Sequence, residues 1–209
     1  MKLLIVGATG LVGRHVLEKA IENPGIDSIV APGRRALASH PKLFSPVVDF
    51  DHLPESENWW LADALICTLG TTIKVAGSQK AFYHVDHDYV LAVARLARKH
   101  GTPTFVLISA IGASVSSRFF YNRVKGEVER DLAVLGFASL TCVRPGLIGG
   151  KRDQARPLET VLGFAKAILD PVLPKRLKTN PADKIAEKLL EAATFPGPGH
   201  QVISSGEMI

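Results

Sequence analysis

Tyr121 and Lys125 bracket the segment Tyr121-Asn122-Arg123-Val124-Lys125. Four residues apart on a helix, they share one face. A phenol, with an ordinary pKa near ~10, is a poor acid–base catalyst at neutral pH. A neighbouring ammonium favours the phenolate and brings a tyrosine towards the working range. The same lysine can also hydrogen-bond the ribose of a nicotinamide nucleotide. Upstream, Ser109 closes an apolar run, where its hydroxyl could help bind a substrate carbonyl. The spacing alone also describes a core tyrosine beside a snorkelling lysine, so the surrounding elements decide its meaning.

The N-terminal apolar run leads directly into Gly7-Ala8-Thr9-Gly10-Leu11-Val12-Gly13. Glycines at spacing three remove the Cβ atoms that would block a tight turn and the approach of a pyrophosphate. A helix starting there presents unpaired N–H groups and the positive end of its dipole to phosphates. Gly7, Thr9, Gly10, Leu11, Val12 and Gly13 are therefore candidate cofactor-binding residues, at a spacing different from G-x-G-x-x-G.

An NAD site usually places an acidic residue at the end of the second strand, about 20 residues on, for the ribose 2′-hydroxyl. Here that strand ends in Pro32-Gly33-Arg34-Arg35, and Asp27 sits at its start. Guanidiniums fork well around a 2′-phosphate. Arg34 and Arg35 thus favour NADP(H) over NAD(H), the alternative being that they are solvated loop residues. Asp49, at the end of the expected third strand, could accept from an adenine amino group or cap its own loop. Leu69, Gly70 and Thr71 follow the fourth strand, where glycine permits close backbone approach. Pro145 and Leu147 belong to Arg144-Pro145-Gly146-Leu147, a turn that could face a nicotinamide carboxamide or simply end a strand.

The elements that must position these residues follow from the apolar pattern. Strands are expected at Lys2–Val6, Ser28–Ala31, Pro46–Phe50, Ala64–Leu69, Thr104–Ser109, Ser139–Val143 and Gln201–Ser204. Helices are expected at Leu11–Asn23, Phe82–Lys99, Arg118–Leu135, Leu158–Leu169 and Ala182–Ala193. Alternating strands and helices predict an α/β fold with a doubly wound parallel sheet. One domain, 1–209, is expected, with a dinucleotide-binding core over 1–150 and a short substrate-side extension over 151–209.

Composition narrows the function classes. A chain of 209 residues buries roughly 70% of its unfolded surface and needs no disulfide or metal staple. Its 46% hydrophobic and 22% charged content excludes intrinsic disorder. The net charge of +5 lacks the dense basic and aromatic cluster of a nucleic-acid binder and suits an anionic ligand. No apolar run reaches the ~20 residues of a membrane span, and the N-terminal run is too short for a signal peptide. Cys67 and Cys142, both in apolar runs, fit free thiols in a reducing compartment, the cytoplasm by default. His84 and His87 share a helix face, but without further ligand spacing no metal site is expected. Trp59 and Trp60 suit packing against the sheet. Phe119 and Phe120 suit an apolar pocket or a dimer surface. Pro171–Lys178 suits a flap or a solvated connector.

Together these motifs resemble the short-chain dehydrogenase/reductase superfamily. GATGLVG resembles the glycine turn of its extended and atypical branches. With GRR (33–35), VVDF (47–50), LGTT (69–72), VDHDYV (85–90), YNRVKGEVE (121–129) and RPG (144–146), the set is similar to the Tat-interacting-protein-like atypical reductases over about residues 3–150. The resemblance implies an NADP(H)-binding Rossmann fold with Ser109, Tyr121 and Lys125 at the catalytic positions. It also implies an oxidoreductase that interconverts a carbonyl and an alcohol of a small molecule. Some members of this branch instead sense their cofactor and act on a protein partner, so a non-turnover regulatory module is the second expectation. Many superfamily members relay protons through an Asn in the helix after strand 4, where this chain offers Asp86.

Overall fold

The structure is a computed structural model and describes residues 1–149 and 179–209. The helix expected at Leu158–Leu169 and the segment Pro171–Lys178 lie outside the described residues. β1 (Lys2–Val6) is a continuous apolar run buried on both faces, the signature of a central parallel strand. Its alternation divides the core. Leu3 and Ile5 point to one side, and Leu4 and Val6 to the other.

β1 is flanked by β2 (Ser28–Val30) and β4 (Ala64–Cys67), both parallel to it. β3 (Leu43–Phe44), β5 (Thr104–Ile108), β6 (Ser139–Arg144) and β9 (Gly199–Ser204) complete a seven-stranded sheet in the order β3-β2-β1-β4-β5-β6-β9. β7 (Ile148–Gly149) and β8 (Asn180–Pro181) form a separate two-stranded ladder. Parallel neighbours require crossovers, and helices supply them on both faces. α1 (Leu11–Glu22) and α6 (Ala182–Thr194) cover one face with Val12, Val16, Ile185 and Leu189. α4 (Tyr89–Lys99) and α5 (Phe120–Ala133) cover the other with Val90, Val93, Val128 and Leu132. Each such side chain contributes about 1.5–3 kcal/mol on burial. Trp59 and Trp60 join the second layer, with Trp60 Nε1 donating to Pro54 O at 2.7 Å.

Two expected elements differ. The third strand is Leu43–Phe44 and not Pro46–Phe50, which adds only a bridge between Val47 and Gly33. Pro46 has no N–H for the ladder, so pairing breaks there. The helix expected over Phe82–Lys99 is α3 (Gln79–Tyr83), a π-helical turn at His84–Asp88, and then α4. The short α2 (Ile73–Ala76) precedes them.

Residues 179–209 serve the sheet itself through α6 and β9. A polar link to the turn after β6 is added by Asn180, fully buried at the start of β8. Asn180 Oδ1 accepts from Gly146 N at 2.6 Å and from Ser205 Oγ at 2.7 Å. Its Nδ2 donates to Ser205 O at 2.9 Å and Met208 O at 3.2 Å. Each buried group orphaned by losing such a partner costs about 1–3 kcal/mol. Asn180→Ala is expected to lower unfolding stability by about 3 kcal/mol. Urea denaturation checks this as a lower midpoint at unchanged slope.

Candidate active site

The chain leaves β1 for one face of the sheet and β4 for the other. A crevice therefore opens between their carboxyl ends, where parallel α/β sheets bind ligands. The glycine turn forms one wall. Gly7 has φ +90°, and a Cβ added there would lie 2.6 Å from the Thr68 carbonyl carbon. A Cβ on Gly13 would lie 2.2 Å from Gly7 O. Gly10 is the N-cap of α1 and makes no side-chain cap hydrogen bond, which leaves the first-turn N–H groups open towards the crevice. Thr9 and Gly10 are exposed, whereas Val12 is a core side chain. Leu11 and Val12 can thus offer a ligand only their N–H groups. An open helix N-terminus behind a turn without Cβ atoms fits a pyrophosphate.

Arg34 and Arg35 are exposed beyond β2, and Arg34 lies within electrostatic reach of the Tyr89 hydroxyl. Asp49 is exposed and already engaged. Its Oδ1 accepts from Asp51 N at 3.0 Å, and its Oδ2 lies 3.0 Å from His52 Nδ1. Both bonds hold its carboxyl below the usual aspartate range.

Lys125 and Asp86 meet against the loop that follows β4. Lys125 Nζ lies 2.8 Å from Asp86 Oδ1, with the side chains 4% and 1% exposed. Asp86 Oδ2 accepts from Thr71 N at 2.8 Å. Gly70 passes over the pair, since a Cβ there would lie 3.3 Å from Asp86 Oδ1. Burial pushes the Lys125 ammonium down, but the Asp86 carboxylate, together with Tyr121 and Cys67, outweighs this and holds it above the ordinary lysine value. Removing one partner of a buried pair typically costs about 3–5 kcal/mol. Tyr121 sits on the same face of α5, 38% exposed, its ring 5.5 Å from that of Phe82.

Ser109 follows β5, where its N–H donates to Val143 O at 2.7 Å. Its side chain is buried, and Oγ has no hydrogen-bond partner. Buried hydroxyls are normally paired, and among the described residues Ser139 Oγ, at the start of β6, is the other exception. The Pro145–Leu147 turn is fixed from three sides. Pro145 O accepts from Ile111 N at 2.8 Å, and Leu147 O accepts from Asn180 N at 2.8 Å. Arg144 Nε donates to Glu129 Oε1 at 3.0 Å, and its Nη2 pairs with Glu129 Oε2. Leu147 itself is exposed.

The structure therefore gathers Ser109, Lys125, Gly70, Thr71 and the glycine turn around the crevice. Phe120 instead lines a cavity of about 720 Å³ beside α3 with Tyr83, His84 and Asp88, and Phe119 is exposed. Asn180, which braces the Pro145 turn, carries no motif, and Glu129 closes the YNRVKGEVE stretch with no role that its spacing announces. Asp86 was detectable only as a departure from an expected Asn.

The curated relatives decide the family. A mitochondrial Fmp52 protein of Emericella nidulans is 38% identical over 180 residues, covering 80% of this chain and 76% of its own. The chain belongs to the Fmp52 family. The Eremothecium gossypii Fmp52 protein is 39% identical over 155 residues, covering 73% of this chain and 69% of its own. No protein-family model matches the chain. Among solved structures, MoeE5 in complex with UDP-glucose and NAD aligns over 97% of this chain and 75% of its own, with TM-score 0.74 and 15% identity. A short chain dehydrogenase family protein from Francisella tularensis aligns over 99% and 98%, with TM-score 0.69 and 15% identity. The Fmp52 fold is thus the Rossmann fold of the NAD-binding epimerases and short-chain dehydrogenases.

The relatives also correct one expectation. They are named as mitochondrial proteins, which overturns the cytoplasmic assignment. The cysteines could not have decided it. Burial pushes the Cys67 thiol up to about 12 and the Cys142 thiol higher still, so both are inert wherever the protein resides.

Two expectations test this geometry. Gly13→Ala forces the turn to shift and is expected to destabilise the fold by at least about 1–3 kcal/mol, read as a lower thermal midpoint. The π turn also carries His84, bonded to Asp51 Oδ1 at 2.7 Å and Asp88 Oδ2 at 3.1 Å. Those bonds raise the His84 pKa above 6.5. Its contribution is full below the unfolded value and is lost as pH rises through the higher folded one. Solvent screening limits it to about 0.5 kcal/mol. Denaturation midpoints should fall across that rise in wild type and stay flatter in His84→Gln.

Proposed function

We propose that this Fmp52 protein is an NADP(H)-dependent oxidoreductase that interconverts a carbonyl and an alcohol of a small molecule. The observation that carries the reading is the buried, unpartnered Ser109 Oγ at the carboxyl end of β5. A hydroxyl left unpaired inside the protein is a ready donor for a substrate oxygen.

In this reading the glycine turn and the N–H groups of Leu11 and Val12 hold the cofactor's pyrophosphate. Arg34 and Arg35, exposed and without a competing carboxylate at the end of β2, meet a 2′-phosphate. Asp49, Leu69, Gly70 and Thr71 flank the adenosine and linking phosphates, while the braced Pro145–Leu147 turn faces the carboxamide. When bound, the nicotinamide supplies the hydride for reduction. Ser109 orients the substrate oxygen, and Tyr121 delivers a proton to it. Lys125, charged and buried, stabilises the phenolate that remains.

Calorimetric titration with NADPH and NADH should show tighter NADPH binding in wild type. Arg34→Ala/Arg35→Ala should lose at least about tenfold in NADPH affinity and little for NADH. In a carbonyl panel, Tyr121→Phe should reduce turnover by about 10²-fold or more with cofactor binding intact. Failure of both nucleotides to bind at millimolar concentration would sink the reading. Tight NADPH binding without turnover of any carbonyl would favour the cofactor-sensing alternative.

A further inference from the structure

The carboxylate beside Lys125 has a geometry that an amide cannot reproduce. Asp86 Oδ1 faces an ammonium and Oδ2 faces the N–H of Thr71, both at 2.8 Å. Both partners are donors, so both side-chain atoms must accept. An asparagine would turn its NH₂ group against one of them. The π-helical turn His84–Asp88 carries Asp86 into the site, and such turns are rare and concentrate at functional positions. Gly70 closes over the pair from the third side.

We propose that Asp86 is a positioning residue, whose carboxylate keeps Lys125 charged and aimed by tying its ammonium to the loop after β4. This rests on the oxidoreductase reading for its consequence but not for its chemistry. Lys125 is faced by Asp86 from the π turn, by Tyr121 from its own helix and by Cys67 from β4. The Cys67 thiol stays neutral, with its pKa pushed up to about 12. Asp86 is thus the counter-charge that offsets the burial of the ammonium, and a buried lysine without one gives up its proton near or below neutrality. A lysine held in this way remains a cation in front of Tyr121 throughout the physiological range. Because Thr71 shares the same carboxylate, movement of the loop after β4 is transmitted directly to Nζ.

The test is the titration of the Lys125 side chain by lysine-edited NMR, with Lys125→Met assigning the signal. In wild type the Lys125 midpoint should lie above the ordinary lysine value. In Asp86→Asn its midpoint should fall by at least about two pH units, and Asp86→Glu should restore it. A midpoint unmoved in Asp86→Asn overturns the proposal, because a merely structural role would lower thermal stability without changing the charge on Lys125. Should Asp86→Asn fail to fold, Asp86→Glu decides alone. Its extra methylene displaces Nζ, so carbonyl turnover should fall about tenfold or more with NADPH affinity within about twofold. Unchanged turnover rejects the positioning role. Absence of turnover in wild type would sink the oxidoreductase reading and leave the NMR titration to decide on Asp86.

Discussion

One close approach sets the geometry of the carboxyl edge of the sheet. α1 begins so near the end of β1 that Gly13 lies against the carbonyl of Gly7, with no room for a side-chain carbon. The same turn rests on Thr68, whose Oγ1 donates to Val6 O at 3.0 Å. β1, β4 and α1 are thereby locked at one point, and the crevice between the two strands inherits its width from that contact. Everything proposed for a nucleotide depends on this closeness. It keeps side-chain carbons out of the turn at Gly7 and Gly13 and leaves the first N–H groups of α1 without side-chain caps.

A second constraint is electrostatic. A buried ammonium is tolerated only where its counter-charge is buried with it, and here the two halves come from segments on either side of β5. Lys125 belongs to α5 and Asp86 to the turn before α4. Their pairing bridges two helices of one layer while leaving the Ser109 hydroxyl unpaired beside the strand between them. Among the described residues, Asn180 and the Arg144–Glu129 pair are satisfied, and Ser139 Oγ, at the start of β6, is the other buried side-chain atom without a partner. Ser109 differs from it in standing just past the carboxyl end of its strand, the edge on which the crevice opens.

The sheet was legible in the sequence because parallel strands buried on both faces read as plain apolar runs. Lys2–Val6, Thr104–Ile108 and Ser139–Arg144 are of this kind. The glycine turn and the Tyr121–Lys125 spacing were legible for a similar reason, since local geometry demands those residue types at those intervals. Three features were not legible. β3 is two residues long and owes its place to β2 rather than to its own pattern. The π turn inserts a wider winding into a segment whose apolar spacing looks helical throughout. The Asn180 linkage joins residues 34 and 25 positions apart, and no local rule relates such distant positions. Long-range polar complementarity of this sort leaves little trace in composition or period.

The order of the strands carries a temporal consequence. β6 finds its outer neighbour only in β9, and the turn that follows β6 is anchored by a side chain from β8. The turn after β6 is thus held by residues that lie C-terminal to it and leave the ribosome after it. A nascent chain can assemble β1, β4 and the glycine turn while the Pro145 turn still waits for α6 to dock. The end of the crevice at the glycine turn matures first and the end at the Pro145 turn last. A chain interrupted after β6 would therefore carry a finished glycine turn beside an unanchored Pro145 turn.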